Sequence, residues 1–585
     1  MSTSRTLIAL VFTLAASHGS SSAADHNAAV EAALKPAAKW RGVIKSYIGV
    51  TRLGTRIPCL VTKDDGDYGT KKRRILLIGG LDGSRKSVSD VMEMMKSVYE
   101  SSERKGIRTE WAISAIPIAN PDAWATGKGP GNLSGGHPLK SFPSKGPYYA
   151  TKTDPETAYL SRWIGMHAPE LVLILVKDSH ETVSLPKQVT SVPAIRIEYS
   201  PDVRDIKGSE LFHLSVLRSL FRKPNAGAKN LEKETPSAAR KELQRRIART
   251  PTQVAKQLAK RYGHDLKTVV YIPAVALIGR VRLGELTEDA SHLKDVEKIV
   301  APYVAGKKDS LGKRVSGSHF PGQLIFAELA RVSKDGAKRK RYIELVRRAA
   351  DLGFDHDGKP KNAMPHHLEM SDSVFMGCPI LVAAGKLTGE AKYYDMALRH
   401  MRFMLKLNLR TDGLHRHSPL HETAWGRGNG FPALGLALCL TDLPKDHPGR
   451  KEMLAAFRNH MAAMAKHQDY TGTWHQVVDR PESYRELTVT CMTTFAMVRG
   501  IRNGWLDEKT YRPIVAKAWT AIKTRVAPDA TLVDVCAGTG KQRSLRAYYD
   551  RPAILGYDAR GGAMALLVAT EIAAWESGLK IEGKK

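Results

Sequence analysis

The residues that could do chemistry in this chain cluster in its second half. Asp372 stands in Ser371-Asp-Ser-Val-Phe-Met376, and Pro365-His-His-Leu-Glu369 precedes it. A carboxyl group can give a proton and take one back, which is what general acid–base chemistry asks for. An Asp before a helical apolar run is also a good N-cap, so both roles stand open. Glu369 lies three residues earlier. If that stretch is helical, the two carboxylates share a face and their repulsion raises one pKa. Arg427 lies in Trp425-Gly-Arg-Gly-Asn-Gly430, followed by Phe431. A guanidinium can grip a carboxylate with two parallel hydrogen bonds. The glycines would let the backbone come close to a ligand, and Trp425 offers a flat apolar face. Asp412-Gly-Leu-His-Arg-His417 supplies His415 and His417, with His421 beyond. Imidazoles at that spacing could bind zinc on a turn; contact with a polar ligand is the other reading.

These residues need elements to position them. Tyr342, Ile343, Val346, Ala349 and Ala350 share a helical face. So do Tyr394, Ala397, Leu398, Met401 and Leu405, and again Leu454, Phe457, Met461 and Met464. Gly or Pro separates them at Gly353, Gly385, Gly389, Pro444 and Pro448. No strand alternation of any length occurs there. Residues 247–578 therefore predict a toroid of paired helices. Residues 40–222 alternate instead. Arg74 to Gly79, Trp111 to Pro117 and Leu171 to Val176 read as buried strands, with helices over Val88 to Tyr99 and Glu156 to Met166. That pattern predicts an α/β domain. The polar, basic stretch 223–246 reads as the linker.

A chain of 585 residues is long enough for two domains. With 42% hydrophobic and 25% charged residues it is neither disordered nor a multi-span membrane protein. A formal charge of +31 favours anionic partners. Without zinc-finger spacing or an aromatic RNA-binding signature, nucleic acid is not the expected one. Arg5, the apolar run Leu7 to Ala16 and small residues to Ala24 read as an export signal over 1–24. The expected mature protein is periplasmic or secreted, with no integral membrane segment. Cys59, Cys378, Cys439, Cys491 and Cys536 are odd in number and contain no C-x-x-C pair, so a disulfide framework is not supported.

Taken in order, the Asp372, His417 and Trp425 segments are followed by Gly472-Thr-Trp-His-Gln476, Tyr484-Arg-Glu486, Val535-Cys-Ala-Gly-Thr-Gly540, Tyr548-Tyr549 and Gly556-Tyr-Asp-Ala-Arg-Gly-Gly562. This series resembles the unsaturated uronyl hydrolases: the rhamnogalacturonyl type (glycoside hydrolase family 105) and its glucuronyl relatives (family 88). The resemblance covers about 250 to 575. It implies an (α/α)6 barrel and an acidic oligosaccharide substrate, with no cofactor and no catalytic metal. The implied reaction protonates a C4–C5 double bond in an unsaturated uronic acid and adds water at C5, after which the hemiketal opens and expels the neighbouring sugar. Asp372 matches the family's acid/base aspartate. Arg427, Trp425 and His417 match substrate-contacting positions, His367 and Tyr271 lie near others, and Phe431 falls where relatives carry Trp. A second characteristic aspartate is missing: Val315-Ser-Gly-Ser-His-Phe-Pro-Gly322 holds no acid, and His319 is its nearest polar residue.

The first half faintly resembles the zinc carboxypeptidases in Ile78-Gly-Gly-Leu-Asp-Gly-Ser84, Ile116-Pro-Ile-Ala-Asn-Pro-Asp122, Pro155-Glu-Thr157 and Pro169-Glu-Leu-Val172. Asp82 and Arg85 replace the first zinc histidine and the glutamate, and Val176 or Lys177 replaces the last histidine. A carbohydrate-binding or scaffolding module is expected. A shifted zinc site at Asp82, Asp178 and His180 would make this half a metal-dependent peptidase or deacylase. A polysaccharide-binding protein without activity is the other alternative.

Overall fold

The computed structural model describes residues 22–67, 69–141, 153–176 and 236–578. Lys177, Asp178 and His180, and the export-signal residues 1–21, lie outside them.

The apolar runs of the first half form the expected strands. β3 (Arg73–Ile78) pairs in parallel with β4 (Trp111–Ile116) on one side and β5 (Leu171–Ile174) on the other. An antiparallel pair, β1 (Val43–Val50) and β2 (Arg56–Thr62), extends the sheet in the order β1-β2-β4-β3-β5. α1 (Ala23–Leu34) and α2 (Arg85–Glu100) cover one face, packing Val30, Leu34, Val91 and Met95 on Ile75 and Leu77. α3 (Pro155–His167) covers the other and is buried along its whole length.

Part of the expected linker is instead a packed helix, α4 (Ala238–Ile247). Two of its basic residues are consumed internally. Arg240 pairs with Glu170 at 3.2 Å, and Arg246 donates to the Thr524 carbonyl at 2.8 Å while pairing with Glu242 at 2.9 Å. Residues 223–235 lie outside the described ones.

Twelve helices of the second half make two concentric rings. The inner ring is α6 (Tyr271–Thr287), α8 (Leu324–Val332), α10 (Ser373–Thr388), α12 (Gly426–Asp442), α14 (Leu487–Arg502) and α16 (Ala559–Glu576). Each packs on the next, and α16 closes on α6. Behind them lie α5 (Pro251–Ala259, against α16), α7 (Ala290–Val304), α9 (Gly336–Ala350), α11 (Ala391–Asn408), α13 (Arg450–Lys466) and α15 (Glu508–Arg525). Sequence explains the layering. α10 and α12 are apolar or small on every side, as a doubly covered helix must be, while α11 buries only the face of Tyr394, Ala397, Leu398 and Met401. The expected (α/α)6 arrangement is thus read directly from the helix packing. Short strand pairs escaped the sequence reading: β6 (Trp474–His475) with β7 (Arg485–Glu486), and β8 (Leu532–Cys536) with β9 (Ala553–Gly556).

The two halves share a core. Ile48, Val50, Tyr159 and Trp163 of the α/β unit pack with Trp425, Val477, Tyr484, Val533 and Tyr549 of the barrel. Polar ties surround it: the buried Arg162–Asp534 ion pair, Arg52 to Asp550 at 2.9 Å, and Arg546 to the Thr51 carbonyl at 2.6 Å.

Candidate active site at the mouth of the helical barrel

The chemically capable residues collect where the inner helices begin. Tyr271 opens α6, Asp372 precedes α10, Arg427 lies in the first turn of α12, and Glu486 and Asp558 cap α14 and α16. Inner helices run the same way, so their positive ends converge on this mouth.

Asp372 is only 6% exposed. It occupies the N-cap position of α10, yet its side chain makes no capping hydrogen bond. Its Oδ1 has no hydrogen-bond partner, and neither does His417 Nε2, which lies 3.5 Å away. Burial pushes the Asp372 carboxyl up to about 7, with the Arg427 charge pulling the other way. Burial, Arg427 and Lys541 together hold the His417 imidazole down at about 3. At neutral pH a carboxyl group whose proton affinity burial has raised toward neutrality therefore faces a neutral ring. A carboxyl tuned to neutrality is suited to proton transfer.

The backbone fixes this pair. Ser371 N–H donates to the His417 carbonyl at 2.9 Å, and Ser371 Oγ donates to the Gly428 carbonyl at 2.7 Å. Asn429 holds the adjacent stretch through His415 N–H and the His415 and Trp425 carbonyls. The glycines of the 425–430 segment serve protein contacts, not the ligand approach expected from sequence. A Cβ at Gly426 would sit 2.6 Å from the His475 carbonyl, and one at Gly428 would sit 3.0 Å from both Ser371 Oγ and the Trp425 ring.

Arg427 is buried, and its fork is occupied. Its two terminal nitrogens donate to the Cys536 and Ala537 carbonyls at 2.6 and 2.7 Å. The two-point grip on a free carboxylate is therefore corrected: the guanidinium is a fixed positive charge, built into the wall beside Asp372. Trp425 is not an open stacking face either. It is 1% exposed, held between the Arg427 guanidinium at 4.8 Å and the His417 ring at 4.3 Å. Phe431 is likewise 1% exposed, stacked on Phe375 at 5.5 Å and edge-on to Tyr271 at 5.6 Å. These aromatics floor the site; with no free ring face, they cannot stack a sugar.

Glu369 and Asp372 do not share a helical face. Residues 365–372 are turns, with His366, Leu368 and Glu369 in left-handed conformation. Glu369 is exposed and pairs with Lys541 at 3.3 Å. His367 is half-buried, its Nδ1 accepting from Glu369 N–H at 2.9 Å and its ring edge-on to Phe403. His319 is buried beside this loop, and its Nδ1 accepts from Ser316 N–H and Oγ at 3.1 and 2.9 Å. It supplies no carboxylate. Besides Asp372, Asp558 also acts on the Tyr271 hydroxyl; it caps α16 and pairs with Arg560 at 3.0 Å.

His415 faces His460 at 4.7 Å and His421 bonds Thr423 at 2.6 Å, so the three imidazoles of the 415–421 stretch do not converge on a metal. Among the described residues no group of three or more His, Cys, Asp or Glu could hold one, and no helix is long and apolar enough to cross a membrane. Two contributors were not singled out from sequence. Tyr548 Oη lies 2.9 Å from His417 Nδ1, and Lys541 joins the loop before Asp372 to the strap after β8. Tyr548 sits in a segment that stands out from periodicity and Lys541 directly follows another, but 131 residues separate Tyr548 from His417. No local spacing could pair them.

A family model described as Glycosyl Hydrolase Family 88 matches residues 238–575. It begins past the α/β unit, whose resemblance to zinc carboxypeptidases gains no support from it. An unsaturated 3S-rhamnoglycuronyl hydrolase of Formosa agariphila is 31% identical over 172 residues, 26% of this chain and 45% of that protein. A protein of the same name from an Alteromonas species is 29% identical over 227 residues, 35% of this chain and 55% of its own. The unsaturated rhamnogalacturonyl hydrolase YesR of Bacillus subtilis is 30% identical over 128 residues, 22% and 35%. The chain thus spans about half or less of these relatives' lengths. Among solved structures, a family 105 glycoside hydrolase of C. acetobutylicum superposes with a TM-score of 0.48 at 22% identity, over 55% of this chain and 99% of the other.

Proposed function

The chain belongs to glycosyl hydrolase family 88, and from that premise we propose that it releases unsaturated uronic acid from acidic oligosaccharides by hydrating the C4–C5 double bond. The observation that carries this is the buried Asp372 carboxyl, poised near neutrality with an oxygen left unpartnered at the barrel mouth. In the proposed reaction, protonated Asp372 gives its proton to C4. Positive charge develops at C5, and water adds there as Asp372 takes a proton from it. The hemiketal then opens and the neighbouring sugar leaves with a proton. One carboxyl group serves both steps, so the absence of an acid at His319 does not forbid them. Arg427 keeps the Asp372 anion accessible after proton donation. The curated relatives act, by their names, on unsaturated rhamnoglycuronyl and rhamnogalacturonyl chains, and such sugars are the first substrates to try. Export to the periplasm or medium belongs to the same proposal.

The double bond absorbs in the ultraviolet. Incubation with lyase-treated acidic polysaccharide should bleach that absorbance, and Asp372→Asn should slow the bleaching by at least about 100-fold. Binding without bleaching on every such substrate would make the barrel a binding protein. Activity that follows stoichiometric zinc would move the chemistry to the first half.

A further inference from the structure

We propose that Tyr548 is a positioning residue: it dictates which ring nitrogen of His417 carries the proton, and so whether Asp372 faces an N–H or a lone pair. The proposal rests on the acid–base reading of Asp372. Gln542 N–H donates to Tyr548 Oη at 3.4 Å, which leaves the phenol's own proton to point elsewhere. His417 Nδ1 lies 2.9 Å from that oxygen and can receive it. Burial pushes the phenol up to about 12, so it keeps its proton. A neutral imidazole that accepts at Nδ1 carries its hydrogen on Nε2. That nitrogen has no other partner and lies 3.5 Å from Asp372 Oδ1. The N–H thus favours the ionised carboxyl and offsets part of the burial. The opposite tautomer would aim a lone pair at the carboxyl and retain its proton.

The ring cannot readily turn away. It packs on Trp425 at 4.3 Å and meets the Tyr548 ring edge-on at 5.7 Å, while the backbone N–H of His417 is bonded to the Thr423 carbonyl at 3.1 Å. The charged and titratable groups around the pair are Arg427 from α12, Lys541 with its partner Glu369, and Tyr271 from α6. Arg427 and Lys541 bring only donors, so neither can accept a proton from His417.

The test uses the full chain with 13C-labelled histidine. The His417 Cδ2 resonance, assigned by its loss in His417→Gln, should report the Nε2–H tautomer in the native protein and the Nδ1–H tautomer in Tyr548→Phe. The kcat/KM limb governed by Asp372 should move upward in Tyr548→Phe by a fraction of a pH unit, because the 3.5 Å contact between Nε2 and Oδ1 acts through its charge and is longer than a hydrogen bond. In a His417→Gln background, which keeps a donor but has no tautomer to lose, Tyr548→Phe should leave that limb in place. An Nδ1–H tautomer in the native protein overturns the proposal. So does a Tyr548→Phe enzyme whose activity falls equally at every pH. If the native protein hydrolyses nothing, the hydrolase reading fails, and the resonance alone still decides the tautomer.

Discussion

Asp372 binds its proton more tightly in the folded protein than an exposed aspartate does, because burial raises its pKa to about 7. Between about pH 4 and pH 7 the native state therefore holds more protons than the unfolded chain, and stability falls as pH rises through that window. Asp372→Asn removes this penalty. Thermal unfolding should show the variant matching the parent near pH 4 and exceeding it at pH 8 by on the order of 4 kcal/mol, even as activity is lost. A gain at pH 4 as well would mean the effect is packing. Asp372, Arg427 and His417 are legible in the sequence as site candidates, and they do converge. How Trp425 and Phe431 face is not legible there. An aromatic beside a glycine turn looks the same whether its ring points to solvent or into a core, and here both are sealed by neighbours from other helices.

Helices α10 and α12 meet through small residues, and their geometry sets the site. At Gly426 the atom in the way is backbone, the His475 carbonyl, which cannot rotate aside. Gly426→Ala should cost about 1–3 kcal/mol, the range for overpacking, and lower kcat/KM by shifting Arg427. Differential scanning calorimetry with the bleaching assay would check both; a variant as stable as the parent would show that the turn can give way. Periodicity revealed the long helices because their stripes repeat over four or five turns. β6 and β7, two residues each, have no period to detect. The sequence of α4 looks like a linker because it holds few large apolar residues. Its burial depends on Glu170 and the Thr524 carbonyl, partners far away in sequence.

Across the whole molecule, the α/β unit is more than an appendage. Its sheet and α3 seal the back of the segment that carries Trp425, and the Arg162–Asp534 pair is buried on both sides, at 4% and 3% side-chain exposure. Removing one member of such a pair strands the other charge. Arg162→Met should cost about 3–5 kcal/mol, and calorimetry of the parent should show one unfolding transition for both halves. Two separate transitions, with Arg162→Met lowering only one, would mean the halves fold independently. Composition and alternation showed two architectures in the chain. They carried no sign of the common core, because residues such as Val533 and Tyr549 look equally at home within either half.

The tight glycine turn at 425–430 also bears on how descendants of this chain should be judged. Each of Gly426, Gly428 and Gly430 is crowded by protein atoms, with Met492 Sδ 2.8 Å from a Cβ placed at Gly430. A lineage that lost its chemistry would still need Gly426, where backbone blocks a side chain, and would be constrained at the other two. Persistence of that segment in a homologue is therefore a record of architecture. Whether the homologue still works as an enzyme must be judged elsewhere, from the survival together of an acid at 372, an imidazole at 417 and a phenol at 548.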